Sequence, residues 1–428
     1  MSDRQEPSLE RRIGTLGSGL LSFNGIVGAG IFALPAALHV QFGAFSPWLF
    51  PIFGLLILLV ALPFANLAAF FSFSGGPVAY TASFGRAVSF QVGWVYYIAR
   101  TTAYAANANV FASYAAALWP ALGGMAGRAA VIVALVALVT WINVVGVRRA
   151  IRALDIVSLL KALPLVVLAI WALVASGGVE LAGPLPEFGA LEAAALITLY
   201  AFIGFENSVV PAGETVSPQR TIPRALITTI VATAALYFVI QLAYVSIMPE
   251  GASPDAPLAA LAGLLIGPAG IILLSLTAMA SVGGNFLGSM TSTPRVTYAL
   301  ARDELLPRWF GEVSPRWHTP VNSILFMGLI GGALALSGSF VWLAIVSTLA
   351  RLFVYGASIA ALPAARRAAG RKTGPAVGML MLGGLLVCVW AAAQSELRSW
   401  IMLAALLATE TALYAVAERS RRHGSIPA

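Results

Sequence analysis

Residues 25–32 read Gly25-Ile26-Val27-Gly28-Ala29-Gly30-Ile31-Phe32, in the middle of the first long apolar segment, with Pro35 just beyond. Three glycines in six residues build a poor transmembrane helix. Each costs about 1 kcal/mol against alanine in a helix interior. Irregular backbone at membrane depth is tolerated only where it is buried in protein or lines a cavity. The break therefore marks a candidate binding site near the middle of a bilayer.

Composition supplies the setting. The chain has 428 residues, 59% hydrophobic and only 10% charged, where a soluble domain carries about 25% charged residues. It reads as a polytopic, all-α membrane protein whose first partner is the lipid bilayer. The single cysteine, Cys388, excludes an internal disulfide framework and a thiolate metal cluster. His39, His318 and His423 are far apart and give no metal-ligand spacing. Neither a metal nor a cofactor is expected. Nothing resembles a phosphate-binding P-loop, and no nucleophile stands with a base, so ATP-driven and enzymatic readings are set aside. No small-residue cleavage site follows a short apolar region, so no cleaved signal peptide is expected.

A helix needs about 20 apolar residues to cross the hydrocarbon core. Twelve segments qualify, at 13–39, 45–72, 84–118, 125–147, 151–175, 191–213, 222–248, 267–300, 321–337, 339–363, 375–393 and 397–417. With both termini on one side, 20 of the 25 Lys and Arg fall on that side. Arg128 and Arg398 fall opposite, and Arg100, Lys161 and Arg351 lie inside spans. The positive-inside rule makes the termini cytoplasmic. The net charge of +8 thus belongs to the inner face of a plasma membrane, not to a nucleic-acid partner.

Spans 1–5 and 6–10 read as two halves of a single domain covering 1–428, at 13–175 and 191–363, with additional helices at 375–417. Each half opens on an interrupted helix. The second interruption is Ile203-Gly204-Phe205-Glu206-Asn207, followed by Pro211. Paired interruptions at matching positions point to an inverted repeat and a midplane site.

Three stretches resemble the amino acid–polyamine–organocation transporter family. The first is Gly25–Phe32 with Ala33-Leu34-Pro35. The second is Phe202–Glu206 continuing into Gly213-Glu214-Thr215-Val216-Ser217-Pro218 and Thr221-Ile222-Pro223-Arg224. The third, Gly288-Ser289-Met290 through Pro294-Arg295-Val296 and Ala301-Arg302-Asp303 to Thr319-Pro320-Val321-Asn322, resembles the cationic amino acid transporter branch. The resemblance covers spans 1 to 9. It implies twelve transmembrane helices in a LeuT-type 5+5 inverted repeat with helices 1 and 6 broken, and secondary active transport of amino acids by alternating access.

A zwitterion brings a carboxylate and an ammonium, and a broken helix suits both. The half after the break presents unpaired N–H groups and a positive dipole end, here Gly28, Ala29 and Gly30. The half before it presents carbonyls, here near Ile26 and Val27, joined by those near Phe202 and Ile203. Small residues let the ligand approach the backbone. Phe23, Tyr200, Phe202 and Phe205 flank the breaks as rings that cover a substrate or pack against lipid or core, and Tyr200 and Phe202 stand out by family position.

Lys161 lies deep in its span, ~15 Å by helical rise, with Asp155 and Ser158 nearby. An ammonium there costs about 3 kcal/mol and needs partners. In the resemblance it takes the place where sodium-coupled relatives bind Na⁺. Ser281 and Asn285, four apart on span 8, share a helix face, and either is a candidate partner. That reading is sodium-independent and favours proton-coupled symport, with substrate exchange and a polyamine or other organic amine as alternatives. A non-transporting sensor or scaffold would need neither paired breaks nor a buried lysine. Glu206, directly after the second break, is a gating or proton-linked candidate. Glu214 is expected to tie its loop to Arg220 or Arg224. Arg100 must be paired or solvated, by an anionic substrate group or an internal carboxylate such as Glu206. Arg351 is placed near the inner end of its span as a structural residue. Asn107 and Asn109 line a cavity or bond between helices, and Ser347 and Thr348 are weaker candidates.

Overall fold

The computed structural model describes residues 13–424 except 69, 72–75, 147–160, 179–182, 210–213 and 253. Among them the fold is all helical. The one β-like feature is an isolated bridge between Ile13 and Thr215. In chain order the helices are α1 (Thr15–Ile26), α2 (Ala29–Phe42), α3 (Leu49–Ala68), the short α4 (Gly76–Tyr80), α5 (Arg86–Leu118), α6 (Met125–Val145), α7 (Ala162–Ala175) and α8 (Phe188–Tyr200). They continue as α9 (Pro218–Ile247), α10 (Pro257–Ile266), α11 (Pro268–Ser292), α12 (Pro294–Arg302), α13 (Val321–Ser337), α14 (Phe340–Ala368), α15 (Pro375–Ala393) and α16 (Leu397–Gly424). Pro218, Pro257, Pro268, Pro294 and Pro375 each open a helix, the position where the missing N–H costs nothing.

Seven helical stretches among the described residues are long and apolar enough to cross a membrane. The first, Ala29–Ala68, holds both α2 and α3. Ala162–Ala175, Pro257–Ile266, Val321–Ser337 and Leu397–Thr409 are apolar but shorter. The expected first span is not one helix: it stops at Ile26 and restarts at Ala29. The expected eighth span, 267–300, is also divided. Pro294 cannot donate into the preceding turn, so α11 ends at Ser292 and α12 begins at once. Asp155, Ser158, Pro211 and Gly213 lie outside the described residues, as does most of the first half of the expected fifth span.

Helices in lipid gain little hydrophobic drive from one another, so packing and interhelical hydrogen bonds hold them. Two buried clusters result. One gathers α2, α3, α9 and α10 around Phe50, Phe53, Phe64 and Tyr237. The other gathers α5, α13 and α14 around Trp94, Tyr97 and Tyr104. Polar ties cross between elements. Gln241 donates to the Pro35 carbonyl (3.0 Å) and to Ser46 (2.9 Å). Tyr114 donates to the Phe32 carbonyl (2.7 Å). Asn109 reaches the Ala335 carbonyl at 3.0 Å, which settles its role as a tie between α5 and α13.

Candidate functional site

The two breaks meet. The first is the pair Val27-Gly28 between α1 and α2. The second follows α8, where residues 201–204 turn and Phe205–Ser208 form one 3₁₀ turn. Gly204 has φ +116°, a conformation that side chains rarely adopt. A Cβ on Gly204 would meet the Gly25 backbone, and one on Gly25 would meet the Gly204 carbonyl. The chains therefore cross backbone against backbone, with no room for a side chain on either. Gly30 lies close as well: its Cβ would stand 3.0 Å from the Ala201 Cα.

Beside this crossing is a cavity of about 1320 Å³. It runs from buried Gly28, Gly30 and Tyr200 to exposed Arg86 and Asp303. Ile26, Ala29, Ile203 and Glu206 also line it, as does Asn285. Thus most residues expected to bind substrate share one space. Val27, Phe202 and Phe205 do not line it. The Phe202 ring packs against Phe50 and Tyr237, with centroids 6.5 and 6.0 Å away. The Phe205 ring packs against Phe64 and Tyr355, at 5.9 and 5.0 Å. The turn at Gly204 sends these rings into the core, so they hold the break instead of covering a ligand. Phe23 is likewise packed on the core.

The first four N–H groups of α2 have no partner within the helix, and they begin at the cavity. The carbonyls of Ile26 and Val27, expected to meet an ammonium, are already engaged. Tyr237 donates to Ile26 at 3.1 Å. Lys161 donates to Val27, and Asn285 approaches the same carbonyl at 3.5 Å. A free acceptor is found elsewhere: Asn107 Oδ1 is buried with no hydrogen-bond partner. It lies 3.9 Å from where a Gly28 Cβ would stand.

Lys161 is 3% exposed. Besides Val27, its ammonium donates to the Asn24 side chain (2.9 Å) and carbonyl (3.1 Å). An ammonium has three donors, and all three end on the last turn of α1, where the helix dipole favours a cation. The partner is neither Ser281 nor Asn285. Ser281 is buried with an unpartnered hydroxyl, and Asn285 shares the Val27 carbonyl with the lysine.

Glu206 is fully buried and accepts three hydrogen bonds. Its Oε1 accepts from Arg351 Nε at 3.1 Å. Its Oε2 accepts from the Tyr355 hydroxyl at 2.9 Å and the Gly204 N–H at 3.0 Å. Arg351 also donates to the Ala99 carbonyl at 2.9 Å and to Ser347. Arg351 is therefore not an inner-end residue: it is 5% exposed, in mid-α14, beside the second break. Ser347 donates to the Ala99 carbonyl at 2.8 Å, whereas Thr348 bonds within its own helix. Among the described residues Glu214 has no ion pair. Its carbonyl accepts from the Ile13 N–H at 3.0 Å.

Sequence reading missed Tyr355 and Asn24, quoted Asn207 only as part of the second interruption, and gave Arg351 a structural place at the inner end of its span without its partner. Ser347, Arg351 and Tyr355 are spaced by four, so they share one face of an apolar helix. That was a legible signal. Asn24 and Asn207, which both line the cavity, flank the two breaks within three residues of Gly25 and Gly204.

A family model described as amino acid permease matches residues 13–417. An uncharacterized transporter of Mycobacterium tuberculosis is 29% identical over 425 residues, covering 95% of this chain and 91% of that protein. One of Mycobacterium bovis matches equally. A vacuolar cationic amino acid transporter of Arabidopsis thaliana is 31% identical over 144 residues, 33% of this chain and 24% of that protein.

Proposed function

The chain belongs to the amino acid permease family, within the amino acid–polyamine–organocation superfamily, and from that premise we propose that it carries an amino acid across the membrane as a secondary active transporter. The observation that carries the reading is the meeting of two helix breaks beside one cavity. The substrate carboxylate takes the open N–H groups of Gly28, Ala29 and Gly30. Its ammonium takes Asn107 Oδ1 together with the carbonyl side of the second break. Tyr200 and Ile203 bound the space above it.

The architecture in this reading is twelve spans, with repeats at 13–175 and 191–363 and additional helices at 375–417. The cavity mouth at Arg86 and Asp303 lies on the side richer in Lys and Arg, so the state is open to the cytoplasm and the termini are cytoplasmic. The membrane is the plasma membrane.

Lys161 is the coupling residue. Its ammonium caps α1 at the break that the substrate uses, so gain or loss of its proton changes how firmly α1 is held. A resident cation there disfavours sodium and suits a proton gradient. Glu206 is a positioning residue: its contacts with Arg351 and Tyr355 fix the second break to α14. The exchange alternative shares the same site and differs only in what drives the return step.

Purified protein in liposomes tests this. Labelled amino acid is expected to accumulate when the outside is made acidic, whether sodium is present or replaced. Uptake that requires preloaded amino acid would replace symport by exchange. Absence of uptake and exchange for every amino acid would overturn the reading. Lys161→Ala is expected to lower uptake at least tenfold and to remove its dependence on the pH gradient. Normal uptake by that variant at every pH would exclude Lys161 from coupling.

A further inference from the structure

Arg100 lines the cavity, and among the described residues no carboxylate hydrogen-bonds its guanidinium; Glu206, near enough to feel its charge, is bonded to Arg351. Nε donates to Thr293 Oγ1 at 2.8 Å, Nη1 to the Tyr96 hydroxyl at 3.1 Å, and Nη2 to Ser292 Oγ at 2.6 Å. All three acceptors are neutral. Among the described residues Arg100 makes no ion pair. A guanidinium has five N–H donors, so two remain, one on each terminal nitrogen. Such a pair matches the two oxygens of a carboxylate. The neutral partners on α5, α11 and the start of α12 hold the fork in place without spending its charge.

The cavity's carboxylates do not offset this. Glu206 is closed into its contacts with Arg351, Tyr355 and Gly204. Half-buried Glu214 and exposed Asp303 also line the cavity. Among the described residues the one fully buried carboxylate lining the cavity, Glu206, is already paired with Arg351. An anionic side chain entering the cavity meets Arg100.

Position adds a length preference. Asn107, beside Gly28, and Arg100 are seven residues apart on α5, two turns and about 10 Å by helical rise. A substrate held at the first break points its side chain along this face to reach the guanidinium. The longer acid spans that interval better.

We propose that the substrate is an amino acid with an acidic side chain, glutamate in preference to aspartate, and that Arg100 receives its side-chain carboxylate. This rests on the amino acid transporter reading above and names its substrate class. It separates the chain from the cationic selectivity that the name of the plant relative carries.

Uptake of labelled glutamate, aspartate, glutamine and lysine into liposomes holding the whole protein tests it. The wild type is expected to show KM at least tenfold lower for glutamate than for glutamine, with lysine poorest. Arg100→Gln is expected to raise the glutamate KM at least tenfold, to the glutamine level, while the glutamine KM stays. Arg100→Lys keeps part of the preference. A purely structural Arg100 would shift all substrates together, and that result overturns the proposal. So does a wild type that takes glutamine or lysine as well as glutamate, which needs no variant to fold. Transport of neutral or cationic amino acids alone overturns this inference and leaves the transporter reading standing. Transport of none overturns both.

Discussion

Arg351→Met is expected to destabilise the protein by about 3–5 kcal/mol, because it strands the buried carboxylate of Glu206. The carboxylate side chain is 1% exposed and the guanidinium side chain 6%, so the pair is a buried one. Tyr355 and the Gly204 N–H still donate to Glu206, but neither carries a charge. The double variant Glu206→Gln with Arg351→Met removes both charges and keeps an oxygen acceptor for Tyr355 or Gly204. It is expected to regain most of the lost stability, since exchanging a buried pair for neutral groups is often close to neutral. The chain supplies its own reporter. Cys388 is its single cysteine and is buried at 5% exposure, so thiol-dye labelling on heating follows unfolding. A single variant as stable as wild type would mean that the pair is not a buried one in the membrane.

Gly28→Leu is expected to bring substrate binding and uptake to background while the protein still inserts and folds. Gly28 has φ −136°, outside the left-handed region that favours glycine. A Cβ there would meet the side-chain amide of Asn285, with Asn107 Oδ1 at 3.9 Å. Both are side-chain ends that can shift, and overpacking of this kind costs about 1–3 kcal/mol. The rest of the leucine enters the cavity at the N–H groups that the carboxylate needs. Binding measured in detergent beside Cys388 labelling separates the two effects. A variant that binds and transports normally would make the break a packing device only.

Gly204 shows why the two breaks differ. Its φ of +116° and its contact with the Gly25 backbone make it a structural glycine, whereas Gly28 is a glycine of access. Sequence alone gives both as interruptions, because composition reports a missing side chain and not what would occupy its place.

The aromatic residues illustrate a second limit. Phe202 and Phe205 sit at the break in sequence, so a role over the substrate is a natural reading. The turn at 201–204 rotates them into the core, while Tyr200, Ile203, Gly204, Glu206 and Asn207 line the cavity. Rotation about a broken helix has no 3.6-residue period to read, so facing cannot be inferred across it.

What the sequence by itself determined is the membrane setting, the two interruptions, the family and the presence of three basic residues, Arg100, Lys161 and Arg351, within apolar spans. These follow from local composition and from motifs contiguous in the chain. What only the tertiary structure decided is who partners those charges. Lys161 goes to Asn24 and Val27, 137 and 134 residues away. Arg351 goes to Glu206, 145 residues away, and Arg100 to Ser292 and Thr293. Burying a charge requires a partner, but that requirement is satisfied through space. Any of several carbonyls, hydroxyls or carboxylates meets it equally well, and helix packing alone selects among them.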